Sequence, residues 1–168
     1  MSSALRGIFL CLLFAGIMTL QWNLETDLTS NHYIKNYLDL AVHDAAIAIV
    51  EEELSKGYIV FDQEQAEKNF KQSLMHHLNL NENLSPQEHS FFQDQIDVKL
   101  LEFYDDQTVD PRTGDLMTFP YVYENAEYEI IEVLNGPSVV AVIEVQSPRY
   151  FRGEGTTIRK ASVYEYVF

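Results

Sequence analysis

The chain is short of disulfide chemistry: its single cysteine, Cys11, cannot form an intramolecular bridge. Five prolines and seven glycines in 168 residues exclude a collagen-like or low-complexity chain. Cationic side chains are also scarce, 11 Lys and Arg against 26 Asp and Glu, for a net charge of −15. Residues 1–30 hold Arg6 against Glu25 and Asp27, so −14 of that charge falls on residues 31–168. A body this acidic repels phosphate backbones and anionic lipid surfaces, and nucleic acid is not an expected partner. Cationic partners are easier to accommodate, although solubility alone accounts for such a charge.

Motifs for catalysis or cofactors are missing too. No Gly-rich phosphate loop occurs. His76 and His77 are adjacent, so on a helix they point about 100° apart and cannot chelate one ion together. His32, His43 and His89 lack a ligand partner at helical spacing. Ser73 precedes His76 by three residues, but the segment around them reads as an ordinary amphipathic helix. The acidic stretch Asp105, Asp106, Asp110, Asp115 has the oxygen ligands calcium takes, without the alternating spacing of an EF-hand. Asp110-Pro111-Arg112-Thr113-Gly114-Asp115 is equally an ordinary turn. A non-enzymatic chain without a cofactor or metal is expected.

What the chain does have is one long apolar run. Gly7 to Trp22 is apolar for 16 residues, with Gln21 its one strongly polar member. As a helix it covers about 24 Å, slightly less than the roughly 30 Å hydrocarbon core, and Leu5 and Leu24 extend it. Arg6 can snorkel at one end, Phe14 sits near the middle, and Trp22 suits the other interface. The spacing predicts a single-pass anchor in the lipid bilayer through residues 7–22. The positive flank stays in the cytoplasm and the acidic body faces outside the cell membrane. No pair of small residues follows the run as a signal-peptide cleavage site requires. Gly7 offers a prepilin-type cleavage point, but Leu12 stands where a glutamate is usual. An uncleaved signal-anchor is therefore expected, with residues 1–30 as anchor and short linker and residues 31–168 as an extracytoplasmic domain.

The body begins with helical spacing over Asn31 to Lys56, where Tyr33, Ile34, Tyr37, Leu38, Ala41, Val42, Ala45, Ala46, Ile49 and Val50 recur. Ser30 or Asn31 can cap its start and Gly57 its end. Ala41, Ala45 and Ile49 keep one face narrow, for close approach of the chain's own core or of a neighbouring subunit. Tyr58 to Phe61 is a short apolar run. Asp62 with Gln65 makes a capping box for a helix over Gln63 to Leu78. Ser85-Pro86-Gln87-Glu88 reads as another helix start, ending near Asp94.

From Gln95 the period changes to two. Strands are predicted over Ile96 to Tyr104, Tyr128 to Leu134, Ser138 to Val145 and Thr157 to Phe168. Asn135-Gly136 reads as a hairpin turn. The loop Pro148 to Gly155 carries Tyr150-Phe151 between Arg149 and Arg152, either an exposed contact or a cover for the sheet. Helices first and strands after predict an α+β fold: a transmembrane helix, then two or three helices packed on an antiparallel sheet of about four strands.

The apolar run after Arg6-Gly7, the Ala-rich helix Leu40 to Ala46 and the segment Gly57 to Ala66 together resemble the Tad-type (tight-adherence) pseudopilin-like proteins of Gram-positive bacteria. The resemblance covers residues 5–80. It implies a structural or accessory subunit of a pilus-like, secretion or conjugation apparatus, with protein partners in a membrane-associated assembly and no catalytic residues. The residues taken alone also allow a membrane-tethered binding module for a cation or a cell-wall ligand, and an envelope hydrolase.

Overall fold

The structure, a computed structural model, describes residues 3–151 and 153–166. Its elements are α1 (Ser3–Ala46), α2 (Glu51–Leu54), α3 (Gln63–Leu78), β1 (Asp97–Tyr104), β2 (Tyr121–Asn125), β3 (Ile130–Leu134), β4 (Ser138–Gln146) and β5 (Thr157–Glu165). The fold is α+β, as the order of periodicities predicts. The strands form two antiparallel sheets, β1-β4-β5 and β2-β3, where one sheet of about four strands is expected from the sequence.

The central strand shows why the body holds together. Ser138–Gln146 is buried along most of its length, although an antiparallel strand with one wet face should alternate. Val139, Ala141, Ile143 and Val145 face the core built by α1 and α3. Val140 and Val142 face a second core under β2 and β3, with Tyr123, Ile130 and Leu134. The body therefore has helices on one face of the three-stranded sheet and the two-stranded sheet on the other. Tyr104 and Tyr123 both donate to Glu102 Oε2, at 2.8 and 3.0 Å, and fasten the small sheet to β1. Burial is the main reason that both phenols titrate above their ordinary range, Tyr123 at about 12.

Three local expectations are corrected. The helix placed over 31–56 neither begins at Ser30 or Asn31 nor reaches Lys56: α1 runs unbroken from Ser3 and stops at Ala46. Beyond it residues 48–50, two of them β-branched, pair with residues 60–62. Ile49 bridges Phe61, the Val50 N–H donates to the Val60 carbonyl, and the Asp62 N–H donates to the Ala48 carbonyl. Gly57, at φ +89°, follows the short turn α2 instead.

The helix expected over 86–94 does not form. Its polar groups are consumed against the end of α3: Ser90 Oγ donates to the Leu78 carbonyl and Gln87 Nε2 to the Leu80 carbonyl. Phe92 is buried as a plug. Asn135-Gly136 is not a hairpin turn, because β3 pairs with β2 while β4 pairs with β1 and β5. Neither residue takes the positive φ of a type I′ turn, and Glu165 Oε2 accepts from both nitrogens of Asn135 at 3.2 Å. By contrast, α3 spans the expected Gln63–Leu78, and Asp62 caps it through the Gln65 N–H at 3.1 Å. The expected last strand ends at Glu165; Val167 and Phe168 lie outside the described residues.

The acidic loop contributes to this body through its first two carboxylates. Asp105 is buried and accepts from the backbone N–H of Phe61 and of Gln107 and from the Thr108 hydroxyl. Asp106 accepts from the Ile59 N–H at 2.7 Å. Asp105→Ala strands the Phe61 N–H next to the core. It is expected to lower stability by about 3 kcal/mol, read by urea unfolding of the full chain in detergent micelles.

Candidate functional site: the apolar helix and its collar

α1 is one helix in two environments. At about 1.5 Å per residue its 44 residues extend about 66 Å. Residues 3–17 are exposed along every face, including Arg6, Gly7 and Phe14. Ile34, Leu38, Ala41, Val42, Ala45 and Ala46, in its last part, are fully buried in the body. Among the described residues this is the one helix long and apolar enough to cross a membrane, and none of its apolar window is buried by the protein. Leu5, Ile8, Phe9, Leu10, Leu12, Phe14 and Ile17 would expose a large continuous apolar surface to water. An apolar helical segment of this length, exposed along every face, is compatible with single-pass anchoring.

Ala41 and Ala45 lie within the core beneath β4, β5 and α3, so their small side chains let the chain's own elements approach. Ile49 is not on α1 and is half-buried against that core. The narrow face expected over these three residues is thus covered by the body itself.

Where α1 leaves the body, the β4–β5 loop closes on it. Arg149 Nη1 and Nη2 donate to Asp27 Oδ1 and Oδ2 at 2.6 and 2.9 Å, a bidentate pair with both side chains less than a quarter exposed. Ser147 Oγ and Thr156 Oγ1 donate to the same carboxylate, and the Thr156 N–H donates back to Ser147 Oγ. A Cβ at Gly155 would collide with the Ser147 carbonyl oxygen, so the two limbs of the loop meet only with glycine there. The loop tip carries Tyr150 and Phe151, both exposed. Phe151 meets Trp22 edge-on, ring centroids 6.1 Å apart. Tyr150, Trp22, Glu25, Thr26, Thr29 and Phe91 line an open cleft of about 460 Å³ beside them. Arg152, the second arginine expected to bracket the tip, lies outside the described residues.

The Arg149 hydrogen bonds, opposed by partial burial and aided by Ser147, hold the Asp27 carboxyl below the usual carboxylate range. A lowered folded-state value contributes stability above the unfolded value, about pH 4, and that stability is lost as pH falls through the folded value. Thermal midpoints of the full chain should therefore drop at acid pH, below about pH 4, by more than those of Asp27→Asn. Equal acid sensitivity of the two chains would count against the clamp.

Elsewhere among the described residues, the candidate ligands and nucleophile are not brought together. Among the described residues no group of three His, Cys, Asp or Glu side chains could hold a metal ion. Asp105 and Asp106 spend oxygens on backbone N–H groups, and Asp110 accepts from the Arg112 N–H. His77 stacks on Tyr37 and His76 stands edge-on to His77. The Ser73 hydroxyl is buried and no described residue hydrogen-bonds it. Ser73→Ala is expected to raise stability by about 1 kcal/mol in the same unfolding measurement. The outer face of the small sheet carries Val122, Ile131 and Val133, all exposed and joined across the Val122–Val133 pair.

The Asp27–Arg149 pair was beyond sequence reasoning, because 122 positions separate its members and no local period links them. The aromatic loop tip was visible as an Arg-flanked Tyr-Phe pair, without its partner Trp22. The chain matches no protein-family model, no curated protein and no solved structure.

Proposed function

We propose that the chain is a membrane-anchored structural or accessory subunit of a cell-surface assembly, pilus-like or part of a secretion or conjugation apparatus, and that it is not a catalyst. The observation that carries this is the single unbroken helix, lipid-compatible over its first part and locked into the acidic body over its last. A rigid helix of this kind couples a body outside the membrane to neighbours within it, whereas a flexible linker would only tether it. The resemblance of residues 5–80 to Tad-type pseudopilin-like proteins points the same way. The exposed Val122, Ile131 and Val133 offer a second surface for a protein neighbour. Arg6 on the amino-terminal flank against Glu25 and Asp27 on the other favours a cytoplasmic N-terminus and an outward body.

Photo-crosslinking from positions 10, 13 and 17 in native membranes tests this, together with co-purification in mild detergent. Discrete crosslinks to protein, shared with the co-purified partner, are expected. A chain that crosslinks only to lipid at all three positions, and purifies alone, would contradict the assembly.

A further inference from the structure

The β4–β5 loop, residues 147–156, reaches from the body down to Trp22 on α1. We infer that this loop is a second membrane contact: its tip, Tyr150 and Phe151, sits in the headgroup layer beside Trp22 and seats the body on the bilayer. The inference rests on the anchored reading above, and goes beyond it by assigning a lipid contact to a part of the body far from the anchor in sequence.

If residues 7–22 occupy the hydrocarbon, Trp22 lies at its edge. The polar layer of a bilayer, the difference between its full and its apolar thickness, is about 5–7 Å on each side. The Phe151 ring is 6.1 Å from the Trp22 ring. Even with that separation directed wholly away from the membrane, Phe151 remains within or at the rim of the headgroup layer. The next described anchor of the loop, the Asp27–Arg149 pair, is five residues along α1 from Trp22, about 7.5 Å towards the body. The loop therefore descends the helix from the body towards the apolar segment. Met18 and Thr19, one turn before Trp22, are half-buried, whereas residues 3–17 are exposed.

Composition fits the same occupant. The body carries −14, yet the loop, residues 147–156, holds two arginines, one of them paired with Asp27, against one carboxylate, Glu154. Tyr and Phe at the tip are 61% and 43% exposed, too much apolar surface for a loop whose destination is water. Exposed aromatic side chains are residues that the headgroup layer accepts. The two limbs of the loop are also held in advance, by the bidentate Arg149–Asp27 pair, the Ser147 and Thr156 bonds and the close approach at Gly155, without lipid. A protein neighbour is the competing occupant, and the test separates the two.

Trp22 is the chain's only tryptophan, so fluorescence reads one position at a time. The full chain is reconstituted in phosphatidylcholine vesicles, plain or with bromine near the headgroup end of the acyl chains. In the unaltered chain Trp22 reports the anchor. In Trp22→Phe/Phe151→Trp the indole reports the loop tip, and in Trp22→Phe/Tyr58→Trp it reports a distant exposed site beyond the end of α1. All three substitutions are at exposed aromatic positions, and circular dichroism checks that each chain is folded. The expected result is a loss of emission at the loop tip comparable to that of Trp22, and none at position 58. Quenching of Trp22 without quenching at the loop tip overturns the inference and leaves the anchor standing, with a protein neighbour as the tip's remaining partner. Equal quenching at positions 151 and 58 overturns it as well, since the whole body then lies on the lipid. Quenching at no position overturns both this inference and the anchored reading.

Discussion

Leu13→Lys/Phe14→Lys is expected to move the chain from the membrane to the soluble fraction. Both side chains lie near the middle of residues 7–22 and both are exposed, so the body gives them no shelter. A lysine at the centre of a membrane helix costs about 2.5–3.5 kcal/mol on insertion scales, so two cost about 5–7 kcal/mol. At 1.4 kcal/mol per tenfold, the partition changes by roughly four orders of magnitude. Snorkelling offers little relief, because the lysines are about 9–14 Å from the ends of the segment. The body should be unaffected, since none of residues 3–17 belongs to either of its cores. Carbonate-washed membranes from cells expressing each chain provide the reading. A double-lysine chain that stays in the washed pellet would mean the helix is held by protein rather than by lipid.

Leu38→Ala and Leu12→Ala, one residue type on one helix, are expected to differ by about 3 kcal/mol in the stability of the body. Leu38 is fully buried between the helices and the sheet. Truncating such a leucine loses its transfer free energy and leaves a cavity, for a cost of about 2–5 kcal/mol. For a body of this size the midpoint falls by roughly 10 °C. Leu12 is 68% exposed and touches neither core, so its removal leaves that midpoint in place. Thermal unfolding of both chains in the same micelles makes the comparison. A large loss from Leu12→Ala would show that the apolar segment folds against the body, contrary to the two-environment helix.

The same two leucines show what could be learned from the sequence. The apolar run of residues 7–22 and the three- and four-residue spacing over 33–46 were both plain. That they form one helix was not, because Asn23 to Ser30 carries no periodic apolar stripe and reads as a linker. Helix continues through it because nothing there breaks it: no glycine or proline occurs between Gly16 and Gly57. Thr26 and Ser30 return their hydroxyls to carbonyls four residues back, at 2.9 and 2.7 Å. At the other end, tertiary pairing overrode local preference, when residues 48–50 paired with 60–62 instead of extending the helix. The Asp62 cap was legible because all its partners lie within four residues.

The second sheet was hidden for a related reason. Tyr121–Asn125 is short and follows a turn-rich stretch, and among the described residues it pairs with β3 alone. Asn135-Gly136 then drew attention to the wrong pair of strands. The continuous apolar run of β4 was the available sign that both faces of that strand are covered. The collar around Trp22 was half legible, since an exposed Tyr-Phe pair can be seen in a loop, but a contact with a helix more than a hundred residues away cannot.

We propose that residues 7–22 cross the bilayer and that the acidic body stands outside. Protease shaving of intact protoplasts that carry a C-terminally tagged chain tests it most directly. The tag is expected to disappear while an amino-terminal fragment stays in the membrane. A tag that survives until the protoplasts are lysed would place the body in the cytoplasm and contradict it.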